Sequence, residues 1–212
     1  MQQYFYQSKK WLTEALFPPK CPICYEHGSA LHVSCLEPYV MVEFDSTRQL
    51  IWLSRYEQPI IKKLIESCKF FGFTSVVQPW VESVPPNFFE NILPNGEWTV
   101  VPVPLHWSRR LWRGFNQSEI IANNLKNNVL GLCISNNLLR VKKTKQQARL
   151  SKQQRKKNIQ GAFAWKKGVA IPRQIILVDD VYTSGATLLE AKKTLLQAGA
   201  EEVWCFVLAR KI

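Results

Sequence analysis

The run from Ile176 to Thr187, Ile-Leu-Val-Asp-Asp-Val-Tyr-Thr-Ser-Gly-Ala-Thr, constrains the fold more than any other part of the chain. Ile175 to Val178 are apolar without alternation, the pattern of a strand buried on both faces of a parallel sheet. Two adjacent carboxylates, Asp179 and Asp180, end this strand, and a loop of small and hydroxylated residues extends from Thr183 to Thr187. Leu188, Ala191, Leu195 and Ala198 then recur at helical spacing, with Gly199 as C-cap. Amides and hydroxyls at a helix N-terminus make an anion site. Ionised carboxylates only accept hydrogen bonds, so Asp179 and Asp180 suit a pair of sugar hydroxyls. An anion beside a diol describes a ribose 5-phosphate.

The rest of the chain supplies the strands and helices such a unit needs. Pro59 opens a helix that ends at Gly72, with Ile60, Ile61, Leu64, Ile65, Cys68 and Phe71 as its apolar stripe. More helix is expected to about Val84, and Pro85-Pro86 and Pro94-Asn95-Gly96 mark a linker or loop beyond it. Thr99 to Pro104 reads as a strand running into a loop. A polar, Arg-rich turn from Leu105 to Gln117 and a helix to about Asn128 come next, then a strand near Leu138 to Val141 and a last strand from Glu202 to Leu208. Strands alternating with helices imply a parallel sheet wound by right-handed crossovers, with the ligand at the carboxyl ends of the strands.

Cysteine placement marks a separate feature. Cys68, Cys133 and Cys205 are isolated in apolar contexts, whereas Cys21, Cys24 and Cys35 cluster with His27 and His32. Cys21-Pro-Ile-Cys24 and His32-Val-Ser-Cys35 are two ligand-x-x-ligand knuckles, which present four donors for tetrahedral zinc. His27 competes as a ligand, but only His32 restores the paired spacing. A module this small has no core of its own, so metal binding would supply much of its folding free energy.

Charge is distributed unevenly. From Ile120 to Val178 there are 13 Lys and Arg and no Asp or Glu, while the remainder holds 15 basic and 16 acidic residues, so the whole net charge of +12 originates in one segment. It is densest from Arg140 to Lys157, where Lys142, Lys143, Lys156 and Lys157 are candidate nucleic-acid contacts. Such a stretch is either a solvated loop beside a phosphate site or a surface for a polyanion. Phe115 and Trp165 are candidate stacking partners for unpaired bases, against an ordinary packing role for each. No apolar run is long enough to cross a bilayer. Met1 to Phe17 lacks a signal-peptide pattern; Tyr4, Phe5, Trp11, Leu12, Ala15 and Leu16 instead share one face of a short helix. A cytoplasmic location without membrane insertion is the expectation.

The Ile176 to Thr187 run resembles the phosphoribosyl pyrophosphate (PRPP) loop of type I phosphoribosyltransferases. Three further segments narrow the likeness: the paired knuckles; Val101-Pro-Val-Pro-Leu-His106 leading through Arg109 to Arg113-Gly-Phe-Asn-Gln117; and Arg140 followed by Thr144-Lys-Gln-Gln147, Leu150-Ser151, Arg155 and Asn158 to Phe163. In this order they resemble the ComF family, bacterial proteins linked to natural competence, over nearly the whole chain. The family usually has Cys where His32 begins the second knuckle.

The resemblance implies an α/β fold: a type I phosphoribosyltransferase-like parallel sheet with flanking helices, plus a small zinc-ribbon-like module. Residues 1–45 would hold the N-terminal helix and the module, 46–97 a helical linker or hood, and 98–212 the PRPP-binding domain. Asp179 and Asp180, the candidate catalytic residues, would hold the ribose hydroxyls, and Thr183, Ser184, Gly185, Ala186 and Thr187 the 5-phosphate. Arg109 and Arg113 would face pyrophosphate, residues 142–160 would close over the site, and Gly114 would either permit a close backbone approach or end a turn. Mg²⁺ would accompany PRPP. The implied role is in single-stranded DNA uptake, next to a catalytically active phosphoribosyltransferase with an unidentified acceptor as the alternative. The chain has no Gly-x-x-x-x-Gly-Lys-Ser/Thr, so an ATP-driven DNA translocase would be a separate partner.

Overall fold

The computed structural model describes residues 20–27, 31–71, 74–85, 87–107, 110–111, 114–129, 131–142 and 152–212. The helix expected over Met1 to Phe17 lies outside them, as do Arg109, Arg113, Lys143 and the side chain of Lys156.

The sheet is built around β7 (Gln174–Tyr182) and β8 (Glu202–Arg210), which pair in parallel. Ile175 to Val178 and Val203 to Ala209 are buried throughout, the condition their unalternating apolar sequences demand. β3 (Trp98–Pro102) runs parallel along the other side of β7, and β4 (Cys133–Ile134) pairs parallel with β3. On the far side of β8 lies β2 (Leu50–Arg55), also parallel, edged by the antiparallel β1 (Glu43–Asp45). The order is β1-β2-β8-β7-β3-β4. β5 (Leu138–Arg140) and β6 (Phe163–Trp165) form a separate antiparallel ribbon. This is a mixed α/β fold with a mostly parallel sheet.

Strand alternation divides the interior into two layers. Ile176, Val178, Phe206 and Leu208 face one layer, formed with α2 (Pro59–Phe71), α3 (Val77–Glu82), α4 (Phe88–Ile92) and α5 (Gln117–Asn128). Ile175, Leu177, Cys205 and Val207 face the other, with α7 (Ala186–Gln197), Ile159 of α6 (Lys152–Ile159), and Leu138 and Phe163 of the ribbon. A buried polar pair ties the first layer to β2: the Trp80 indole N–H donates to Ser54 Oγ at 3.0 Å. Helix α1 (Val33–Leu36) carries Leu36 into this same layer, beside Cys21 and Leu31. The cysteine module therefore shares the core of the α/β domain instead of standing apart from it.

Helix α7 ends as its sequence requires. Gly199 takes φ 110°. Its N–H bonds Leu196 O and that of Ala200 bonds Leu195 O, both at 3.1 Å, closing a Schellman motif.

Three boundaries differ from expectation. β7 does not stop at Val178 but continues to Tyr182, because β8 continues beside it, pairing Tyr182 with Arg210. β8 accordingly runs two residues past Leu208. The stretch 46–97 is not wholly helical, since Leu50–Arg55 is a buried strand of the main sheet. No helix among the described residues is long and apolar enough to cross a membrane.

Candidate functional site

The carboxyl end of β7 carries both acids into the space above the sheet. Asp179 Oδ1 accepts from Ser118 Oγ and from the Asp180 amide, each at 3.0 Å. Asp180 lines a small crevice with Gln117, Ile121, Trp80 and Leu208. Adjacent residues of a strand point to opposite faces, so the two carboxylates diverge from the backbone; Asp179 bonds the first turn of α5, and Asp180 lines a crevice shared with it.

That turn is placed by one buried side chain. Asn116 is the N-cap of α5: its Oδ1 accepts from the Ser118 amide at 3.3 Å, and its Nδ2 donates to Val103 O at 3.0 Å. Val103 N–H in turn donates to Val178 O at 2.9 Å, extending the β3–β7 ladder past the strand. Asn116, Gln117 and Ser118 are all buried. Sequence reasoning does not single out Ser118; the available signal is the Asn-Gln-Ser run opening a helix after a glycine turn. Gly114, at φ 77°, makes that turn, and a Cβ there would meet no atom within 4 Å. The left-handed angle alone favours glycine here.

Thr183, Ser184 and Gly185 separate β7 from α7. Asp179, Val181 and the five residues from Thr183 to Thr187 line one shallow hollow. Gly185 is the N-cap of α7 at φ 73°, and no acidic residue stands in the helix's first turn. The helix's own first turn therefore adds no negative charge to its positive end. A Cβ on Gly185 would collide with the Tyr182 ring.

The proposed pyrophosphate arginines, Arg109 and Arg113, lie outside the described residues. Arg110 between them is described: its guanidinium pairs with Glu119 at 2.7 Å, fastening the turn after β3 to α5. Within the stretch expected to close over the site, residues 152–159 are helical, Ile159 is buried, and the Gly161 amide donates to Glu190 of α7 at 2.8 Å. This end of the stretch is anchored. Lys142 and Lys157 are exposed, and Lys142 Nζ donates to Gln160 O at 3.4 Å, bringing the two ends of the basic stretch together.

The four knuckle residues also converge. Donor atoms of Cys21, Cys24, His32 and Cys35 all lie within 4.8 Å of one another, and Cys24 Sγ is 3.3 Å from His32 Nδ1. Tetrahedral zinc with ligand bonds near 2.3 Å requires sulfur separations of about 3.8 Å, so this Cys3His cluster could hold a metal such as zinc. The first knuckle closes with Tyr25 N–H on Cys21 O at 2.8 Å, and Tyr25, at φ 64°, then returns the chain so that Cys21 N–H meets Glu26 O. His27 is exposed, bridges to Lys20, and is not in the cluster. Burial opposes the Cys21 thiolate, but hydrogen bonds from the backbone of Cys24, His32 and Ile23 outweigh it and bring its pKa down to about 6. Burial and the neighbouring Cys24 and Cys21 sulfurs push Cys35 up to about 11. Sulfurs this close oppose one another's ionisation, and a bound cation would relieve that opposition.

No family model matches the chain. Among individual proteins it is similar to competence protein F of Haemophilus influenzae, with 38% identity over 113 residues, 52% of this chain and 49% of the relative. The DNA utilization protein YhgH of Salmonella typhi is 40% identical over 112 residues, 50% of this chain and 47% of that protein. Competence protein ComFC of Streptococcus pneumoniae is 36% identical over 115 residues, 54% and 49% respectively. The chain spans about half the length of the relatives it matches.

The hollow yields one expectation about its own geometry. Gly185→Ala should destabilise the protein by about 1–3 kcal/mol or more, since it adds both a left-handed backbone penalty and a clash with Tyr182. Urea unfolding of the variant measures this, and wild-type stability would contradict the geometry.

Proposed function

We propose that this chain, which belongs with the ComF proteins over the half of its length that they match, is a PRPP-binding, phosphoribosyltransferase-like protein that handles single-stranded DNA during natural transformation. The observation that carries the reading is the joint at the end of β7. An acid held by Ser118 stands beside an acid-free helix N-terminus whose loop needs glycine. The names of the relatives, competence and DNA utilization, support the cellular role. The fold reading is accordingly a type I phosphoribosyltransferase-like sheet, with a zinc-ribbon-like module docked on one face.

The residues divide the work by chemistry. Asp179 and Asp180 accept hydrogen bonds from the ribose hydroxyls. The Thr183 to Thr187 loop and the α7 amides take the 5-phosphate. Arg109 and Arg113 supply paired donors for pyrophosphate, and Mg²⁺ enters as the counterion of PRPP. In a turnover event the bond from the anomeric carbon to pyrophosphate would break as the bond to an acceptor forms, and pyrophosphate would leave with the electron pair. The protein's contribution would be electrostatic: cations on the leaving group and carboxylates by the sugar, with no covalent nucleophile. Zn in the Cys3His cluster has a structural role, and the basic segment binds DNA phosphates. The protein acts in the cytoplasm, with a separate ATP-driven translocase.

Asp179→Asn with Asp180→Asn should weaken Mg–PRPP binding at least tenfold in calorimetry while the protein stays folded; unchanged affinity would refute the sugar assignment. Pyrophosphate release from PRPP, assayed with and without single-stranded DNA and a panel of bases, separates a binding protein from an active transferase.

Metal analysis should give about one zinc per chain. Cys21→Ala with Cys35→Ala should lose it and lower the melting temperature, and retained zinc would sink the site.

Replacing Lys142, Lys143, Lys156 and Lys157 with Gln should weaken single-stranded DNA binding and flatten its salt dependence by up to about 0.7 log units per log unit of salt for each lysine lost. Binding that is indifferent to salt would return the basic stretch to a substrate-covering role.

A further inference from the structure

Trp107 and Leu111 stand uncovered beside the carboxyl edge of the sheet. They are 65% and 76% exposed, four residues apart on a helical turn in which Arg110 N–H bonds His106 O at 3.1 Å and Gly114 N–H bonds Arg110 O at 2.8 Å. Residues at that spacing share a face. The turn is held from both sides. His106 is buried, its ring 5.5 Å from that of Trp107 at a 40° tilt, and Arg110 is pinned to Glu119. Its place is fixed as well: Val103, four residues before Trp107, bonds the carbonyl of Val178, the residue preceding Asp179. Four residues reach at most about 14 Å, so the turn begins close to the strand end that carries the acids.

We propose that Trp107, with Leu111 at its side, is a stacking platform for an unpaired base of a single nucleic-acid strand. The choice of occupant comes from the surroundings. A planar ring stacks on any base regardless of identity, and the sequence around it holds Arg109 and Arg113 besides the Glu119-paired Arg110, with no acid from Leu105 to Ser118, a balance that suits the phosphates of a strand. A protein partner needs a broad apolar core, and among the described residues of this turn the exposed apolar surface is two side chains, Trp107 and Leu111. The inference rests on the single-strand reading of the proposed function and assigns it an aromatic contact outside the basic segment. The two aromatics nominated from sequence are less exposed than Trp107. Trp165 packs against the second core layer and donates its indole N–H to Val169 O at 2.9 Å, and Phe115 is half-buried.

The experiment compares a fifteen-residue oligothymidylate with an abasic strand of equal length and charge, by fluorescence anisotropy, for wild type, Trp107→Phe and Trp107→Ala. Wild type should prefer the strand with bases by about tenfold, Trp107→Phe should keep most of that preference, and Trp107→Ala should bind both strands alike. The preference should persist at high salt while total affinity falls. Because Trp107 is mostly exposed, Trp107→Ala should melt as wild type does, which separates lost stacking from lost folding. A preference that survives Trp107→Ala, or a wild type that does not distinguish the strands, overturns the platform and leaves the DNA reading standing. A wild type that binds neither strand overturns both.

Discussion

Everything at the carboxyl edge depends on β7 being held on both sides where its apolar run ends, and on the β8 side beyond it. β8 stays in register with it to Tyr182, and Val103 N–H holds Val178 O from the side of β3. Four consecutive buried residues, Ile175 to Val178, anchor the strand in two core layers, so the polar residues after them are delivered by a rigid element. A carboxylate at the tip of such a strand loses little further freedom when it binds, which is why ligand sites gather at this edge of parallel sheets.

The second dependence is the Asn116 cap. A single amide side chain closes α5 and bonds the carbonyl of Val103, so the helix N-terminus and the strand end become one unit. Ser118 then sits where its hydroxyl can orient Asp179. Arg110 and Glu119 add an exposed ion pair across the same junction. Exposed pairs contribute little stability, about 0–1 kcal/mol, so the buried Asn116 cap carries most of this junction.

Much of this is readable in the residues. The β7–α7 unit declares itself because each local signal agrees: an unalternating apolar run, acids, small residues, then helical spacing and a glycine stop. The knuckles are legible because metal ligation demands fixed spacing, and the donors do converge. β2 is not legible. Leu50 to Leu53 is a short apolar run that periodicity cannot assign to strand or helix, and its partner β8 lies some 150 residues further along the chain. Ser118 is hidden for a similar reason. Its meaning is a contact with Asp179, 61 residues away, which no local pattern encodes. The end of β7 is misplaced from sequence because polarity reads as a stop, whereas parallel pairing with β8 continues through polar residues as readily as apolar ones.

The position of the cysteine module changes what a metal there would do. Cys21, Leu31 and Leu36 are fully buried in the layer that contains Trp80, Ile121 and Phe206. Ile121 lies one turn past Ser118 on α5, and Trp80 lines the crevice that Asp180 enters. Four donors fixed around a cation would therefore hold down a corner of the packing that positions both acids. The Cys24 and His32 atoms are already 3.3 Å apart, so little rearrangement separates this arrangement from a coordinated one. Binding free energy in such a site is folding free energy. Here it would be shared with the helices that floor the carboxyl edge, making the metal a support for the site's geometry at a distance from its chemistry.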